Sequence, residues 1–395
     1  MGRFSQEVIH NRTFDDRLGA FAPQVPESVP GEGLFNFIAL DAGAEVTEDG
    51  DVRFGVNAPN AKEVKIVFGL RPKEPIVLEK GEDNIWHGIK KWDPNFVGPK
   101  AYTIFIDGAE FITSYCPVFF CYGKLVNYVE IPDPNADFVL MREDVPHGTV
   151  VMDYYYSDVL QCMERCLIYL PPNYEKGGEY PVLYLQHGYS ENETGWVFNA
   201  KVNHIMDNMI ADGEAVPFVI VMNNGMFHGE CNVFADFQPM FEKSLIQCCI
   251  PFIESKYRVI KDKWHRGIAG FSMGSMQSAL FGTNDIDTFA WVGLLSGYMR
   301  RVGRPDSDMS KDMEVNKHLK VMFDREYFEK ENKLFFRAIG GNDGTRKVFE
   351  LDDEILAENG LADCKNFVRF MPEGYEHDWS TMRVEFHEFA KYLFK

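Results

Sequence analysis

Residues 266–284 read RGIAGFSMGSMQSALFGTN. A short apolar run passes into a serine with glycine two residues to either side, then into a segment of helix-forming residues. Few backbones accommodate this order. Ser272 must sit in a tight, strained turn, because a side chain at Gly270 or Gly274 would strike the neighbouring strand or helix. Strand, turn and helix in sequence lift the Ser272 hydroxyl above a sheet edge, with a helix N-terminus behind it. That placement suits a nucleophile.

The surrounding pattern says what kind of sheet this is. From about residue 149 onward, short apolar strands alternate with helical segments. Strands are expected at 151–157, 165–170, 181–186, 218–222, 266–270, 289–295, 334–340 and 367–371. Helices are expected at about 199–212, 239–256, from 273, and 381–393. Continuous apolar strands separated by helices indicate a mainly parallel sheet covered on both faces. The first two strands read as an antiparallel entry pair.

Residues 33–148 follow a different rule. Val52, Phe54 and Val56 alternate, as do Val64, Ile66 and Phe68, and turns such as Asp107-Gly108 separate the runs. Period-two alternation at this spacing predicts a small all-β sandwich. The Pro-rich stretch IPDPNADFVLMREDVPHG closes it. Residues 1–32, ending FAPQVPESVPGEG, read as a leader or linker. A polar insertion at 297–324, with Arg300, Arg301 and Arg304, interrupts the sheet and reads equally as a lid or as a solvated excursion.

Composition removes several function classes. Sixty acidic against 40 basic residues give a net charge of −20, which repels phosphate backbones, so no nucleic-acid partner is expected. No run of about 18 apolar residues offers a membrane span, and no apolar signal core stands at the N-terminus, so a cytoplasmic location is expected, or a secreted one if a signal has been removed. The eight cysteines form no paired CxxC repeat. They read as reduced thiols, and no metal or other cofactor is expected.

A serine hydroxyl needs a base. His377, in EGYEHDW, lies between the last strand and the last helix, where an open α/β sheet places its site. His265 precedes its strand, at the wrong end, and His187 reads as an organiser of its own loop. The base needs an orienting carboxylate. Asp343, in IGGNDG, follows the penultimate strand; Asp352 and Asp353 are the runners-up. Two donors must meet the developing oxyanion: the N–H of Met273 and that of Tyr189, after the strand PVLYLQ. Trp196 and Trp379 flank these loops and are candidate substrate contacts, with Asn223 and Asn224 at another strand's end.

In order, the blocks YPVLYLQHG, ENETGW, VIVMNNG, KYRVIKDKWHRGIAGFSMGS, AIGGND and GYEHDW resemble the esterase-D-like α/β-hydrolases. These include feruloyl and acetylxylan esterases of carbohydrate esterase family one and the enterochelin esterases. The resemblance covers residues 150–395. It implies an acyl-enzyme mechanism with Ser272, Asp343 and His377 at the triad positions and Tyr189 and Met273 at the oxyanion positions. Ser275 and Tyr189 depart from the family, standing where many relatives have glycine, which bears on the acyl pocket. FGVNAPNAKEVKIV, Trp86 and GPKAYTIFIDG resemble the early-set β-sandwich that precedes many carbohydrate-active enzymes.

The expected activity is therefore a serine carboxylesterase acting on small-molecule or oligosaccharide esters from plants, feruloyl ahead of acetyl. A siderophore esterase is the first alternative. The second is a glycan-binding protein that uses Trp86, Trp92 or Tyr102. A homo-oligomer is left open.

Overall fold

The computed structural model describes residues 42–69, 74–113, 116–226, 238–299 and 320–395. The expected leader, residues 1–32, and the arginines of the 297–324 insertion lie outside them. The chain divides into two compact units between Met141 and Arg142. The sequence pattern put the boundary at 148/149. Residues 142–148 fold with the second unit because Arg142 pairs with Asp212 and the Gly148 N–H donates to Asp207.

The first unit is two antiparallel sheets. One has the order β1 (Ala42–Val46), β2 (Val52–Asn57), β6 (Ile85–Lys90), β5 (Glu79–Lys80). The other has the order β4 (Ile76–Val77), β3 (Val64–Phe68), β7 (Gly98–Ile106), β10 (Lys124–Ile131), β9 (Val118–Cys121), with β8 (Ala109–Phe111) on β7. Val52, Phe54 and Val56 from one sheet meet Val64, Ile66, Tyr102 and Ile104 from the other in a shared core. This follows from alternation, since every second side chain of a strand faces the same way. Asp107 and Gly108 both have positive φ, as a two-residue hairpin turn between β7 and β8 requires. Trp86 and Tyr102 are buried in this core. The reading of them as exposed glycan contacts is corrected: their rings fill the sandwich.

The second unit is an eight-stranded sheet. Its order is β11 (Thr149–Ser157), β12 (Cys162–Leu170), β14 (Val219–Asn223), β13 (Val182–Gln186), β15 (Arg266–Phe271), β16 (Trp291–Leu295), β17 (Leu334–Ala338), β18 (Phe367–Phe370). The pairs β11–β12 and β12–β14 are antiparallel, and all the others are parallel. The inner strands β13, β14, β15, β16 and β17 are buried at every position, as expected where helices cover both faces. This is the α/β-hydrolase fold.

The helix expected at 239–256 is not uniform. It runs as α-helix over Gln238–Ser244, widens to a π-turn over Leu245–Cys249, and resumes over Ile250–Lys256. Pro251 supplies no N–H and crowds the preceding turn, which the wider turn relieves. Among the described residues no helix is long and apolar enough to cross a membrane. Among the described residues no group of three or more His, Cys, Asp or Glu could hold a metal ion.

Candidate active site

The site stands at the carboxyl ends of β13, β15, β16 and β17. Ser272 follows β15 with φ +53°, and the helix Met273–Asn284 begins at the next residue. A β-carbon on Gly270 would lie 2.6 Å from the Gly274 backbone, and one on Gly274 would lie 2.6 Å from the Gln186 carbonyl. Backbone cannot yield as a side chain can, so both positions require glycine. The Ser272 N–H donates to the Leu295 carbonyl (3.0 Å), and its own carbonyl accepts the Ser275 N–H and hydroxyl (3.0 and 2.6 Å). Ser275 is wholly buried and turned toward this carbonyl. Its departure from the family pattern therefore braces the elbow and does not narrow a pocket.

Asp343 and His377 are brought together by their backbones. The Gly341 N–H donates to the Pro372 carbonyl and the Asn342 N–H to the Tyr375 carbonyl, both at 2.8 Å. Gly340 must lack a side chain, since a β-carbon would meet the Tyr375 carbonyl at 2.4 Å. After His377, the Asp378 carboxylate caps the helix Trp379–Ala390 by accepting the Ser380 and Thr381 N–H groups.

Ser272, His377 and Asp343 form a continuous hydrogen-bonded line. Ser272 Oγ donates to His377 Nε2 (2.9 Å), and His377 Nδ1 donates to Asp343 Oδ2 (2.7 Å). The Asp343 side chain is sealed from solvent, while His377 is 31% exposed. Burial alone would raise the Asp343 carboxyl. The hydrogen bond and charge of His377, with the Thr345 N–H and hydroxyl on Oδ1 (both 2.7 Å), outweigh it and hold Asp343 below the ordinary range. Asp352 and Asp353 are occupied elsewhere: Asp352 accepts the Met299 N–H, and Asp353 pairs with Arg337 and Arg369. His265 pairs with Asp262 at the opposite end of its strand.

Met273 is the first residue of the nucleophile's helix, and Tyr189 stands just beyond β13 and is 56% exposed. His187 fixes the Tyr189 loop. Its Nδ1 donates to the Gly188 carbonyl (2.8 Å), and its Nε2 accepts the Gly225 N–H (2.9 Å).

The substrate-contact readings of Trp196, Asn223 and Trp379 are corrected. Trp196 is completely buried and donates its indole N–H to the Gln186 carbonyl (2.9 Å). Asn223 is buried and donates to Cys249 Sγ and the Tyr155 hydroxyl. Trp379 is buried edge-on to Trp196 and against Phe271, and Phe271 in turn packs on His377. These residues are scaffold beneath the loops. Two acids went unread in the sequence. Glu191, inside the quoted ENETGW block, accepts the Trp379 indole N–H at 2.8 Å. Glu385, in the last helix, contacts Ser296; nothing in the sequence marks it.

An activated serine on this fold defines the class: a serine hydrolase arrangement on an α/β-hydrolase scaffold. The comparisons narrow it. Residues 157–349 match the family described as "Putative esterase". The chain is 37% identical over 263 residues to the endo-1,4-beta-xylanase/feruloyl esterase of Xylanibacter ruminicola, covering 64% of this chain and 36% of that protein's length. A solved ferulic acid esterase aligns with 62% of this chain and 97% of its own, at 27% identity and a TM-score of 0.53. The enterobactin esterase of Shigella flexneri aligns with 89% of this chain and 95% of its own, at a TM-score of 0.61 and 12% identity, a likeness of fold.

Proposed function

We propose that the protein is a serine carboxylesterase that releases feruloyl or closely related acyl groups from plant-derived carbohydrate esters. The observation that carries this reading is the line from Ser272 Oγ through His377 to the sealed Asp343 carboxylate. The bifunctional feruloyl esterase at 37% identity supports the acyl group.

In this reading Ser272 Oγ attacks the ester carbonyl carbon as His377 Nε2 takes its proton. Asp343 holds the imidazole with Nδ1 protonated and steadies the imidazolium that forms. The Met273 and Tyr189 N–H groups receive the oxyanion. The tetrahedral intermediate collapses, breaking the ester C–O bond, and His377 returns the proton to the departing alkoxide. Water then attacks the acyl-serine by the same steps, releasing the acid and restoring Ser272. The strained turn at Ser272 keeps the hydroxyl presented without reorganisation at each turnover.

The alternative of a siderophore esterase has one point in its favour, the fold likeness extending over 89% of the chain. Net charge opposes it: a chain at −20 attracts an anionic ferric siderophore poorly. Hydrolysis of methyl ferulate, an acetylated xylo-oligosaccharide and ferric enterobactin by wild type and Ser272→Ala decides. Ferulate release by wild type alone is the expected result. Turnover of ferric enterobactin only would replace this reading, and an equally active Ser272→Ala would end it.

A further inference from the structure

We infer that Glu385, buried in the last helix and outside the Ser272–His377–Asp343 line, is a positioning residue: by holding the Ser296 amide it sets the turn against which the nucleophile is held. The inference rests on the reading of Ser272 as nucleophile.

The turn after β16 is tightly enclosed. The Leu295 carbonyl accepts the Ser272 N–H at 3.0 Å. Ser296, next in the chain, has φ +40°, in the left-handed region that strains a residue with a side chain. Gly297 follows, and a β-carbon there would lie 1.6 Å from Ser275 Oγ, the hydroxyl that donates to the Ser272 carbonyl. Leu295, Ser296 and Gly297 therefore fit against both faces of the elbow. A strained turn persists only where its surroundings over-determine it. Here Glu385 does so, with Oε2 accepting the Ser296 N–H at 2.6 Å and Oε1 facing the Ser296 hydroxyl at 3.4 Å.

The side chains of Glu385 and Ser296 are both sealed in the interior. Burial pushes the Glu385 carboxyl well above the ordinary glutamate range, and the charge of Asp343 pushes the same way, against the lowering effect of Ser296. A neutral acid satisfies both groups of Ser296: its carbonyl oxygen accepts the N–H, and its O–H meets the hydroxyl. Glutamine reproduces that pairing and leucine cannot. The helix that carries Glu385 begins directly after His377, so one rigid element sets the base at its start and braces the nucleophile's turn farther along.

The test compares full-length wild type, Glu385→Gln, Glu385→Leu and Ser272→Ala. Two readouts are taken: kcat and KM on methyl ferulate, and the rate of covalent labelling by a fluorophosphonate, which reports the nucleophile whatever the natural ester. Glu385→Leu is expected to lose about 30-fold or more in kcat and labelling rate with KM within about threefold, as misplaced reacting groups do. Glu385→Gln is expected within about threefold of wild type at every pH. Normal labelling by a folded Glu385→Leu overturns the inference. So does a Glu385→Gln that loses as much as leucine, and this second arm decides if the leucine variant does not fold. Labelling of Ser272→Ala at the wild-type rate would instead remove the nucleophile reading beneath it.

Discussion

The indole N–H of Trp379 donates to Glu191 at 2.8 Å, fastening the loop that carries His377 to the loop that carries Tyr189. Gly195 makes room for the contact, since a β-carbon there would meet the Trp379 ring at 2.7 Å. Trp379→Phe removes the donor together with part of the ring that packs on Trp196 and Phe271. Steady-state kinetics should show kcat reduced about tenfold with KM nearly unchanged, and stability lower by about 1–2 kcal/mol. An unaltered kcat would mean the two loops are held in register by other contacts.

Asp343→Asn tests the relay through its tautomer. The Thr345 N–H and hydroxyl would keep donating to the amide oxygen in the place of Oδ1. That leaves the amide NH2 facing His377 Nδ1, which must then accept. The proton moves to Nε2, where it can no longer take one from Ser272. The expected fall in kcat is about 10⁴-fold with the fold intact. A loss of less than about tenfold would point to another carboxylate.

The parts of the site legible in the sequence were those that local sterics dictate. Gly270 and Gly274 are required by backbone approach alone; Ser272 and Asp343 each follow a buried parallel strand that an apolar run announces, and His377 follows the edge strand β18. The β-sandwich core was legible through alternation at Val52, Phe54 and Val56. Side chains whose orientation depends on distant partners were not. Trp196 and Asn223 stand at strand and loop ends that read alike whether the residue faces inward or outward. Glu385 alternates with Val384 and Phe386 in RVEFHEF, a pattern that does not say which way its side chain faces, and its partner Ser296 is 89 residues away.

Gly274→Ala separates stability from chemistry at the elbow. The added methyl would lie 2.6 Å from the Gln186 carbonyl and 2.7 Å from that of His187, both backbone atoms fixed by the central strand and its loop. Something must shift, and the nucleophile's helix is what is free to move. Chemical denaturation should show a loss of about 3 kcal/mol, and activity should fall even where the protein remains folded. Wild-type stability would mean the strand and helix separate more easily than their packing implies.

Away from the site, Glu242 and Asp285 give the protein a pH dependence of known sign. Glu242 lies on the helix Gln238–Ser244 and Asp285 just past the nucleophile's helix. Burial raises both carboxyls, Glu242 to about 7, and the Asp285 charge adds to that rise. The Asn284 amide, which donates to Glu242 at 3.1 Å, and the charge of Lys243 act the other way. A carboxyl whose folded value is raised favours the folded state while protonated. Its contribution is fully present below the ordinary value of 4.5 and is lost as pH rises through about 7. Glutamine mimics the protonated form at every pH. Glu242→Gln is therefore expected to raise stability at pH 8 by about 1 kcal/mol, after discounting for solvent screening, or about 2–4 °C in Tm. At pH 5 the gain should largely vanish. Thermal melts of both proteins across this range check it, and equal Tm values at pH 8 would show that the pair is relieved by solvent without taking up a proton.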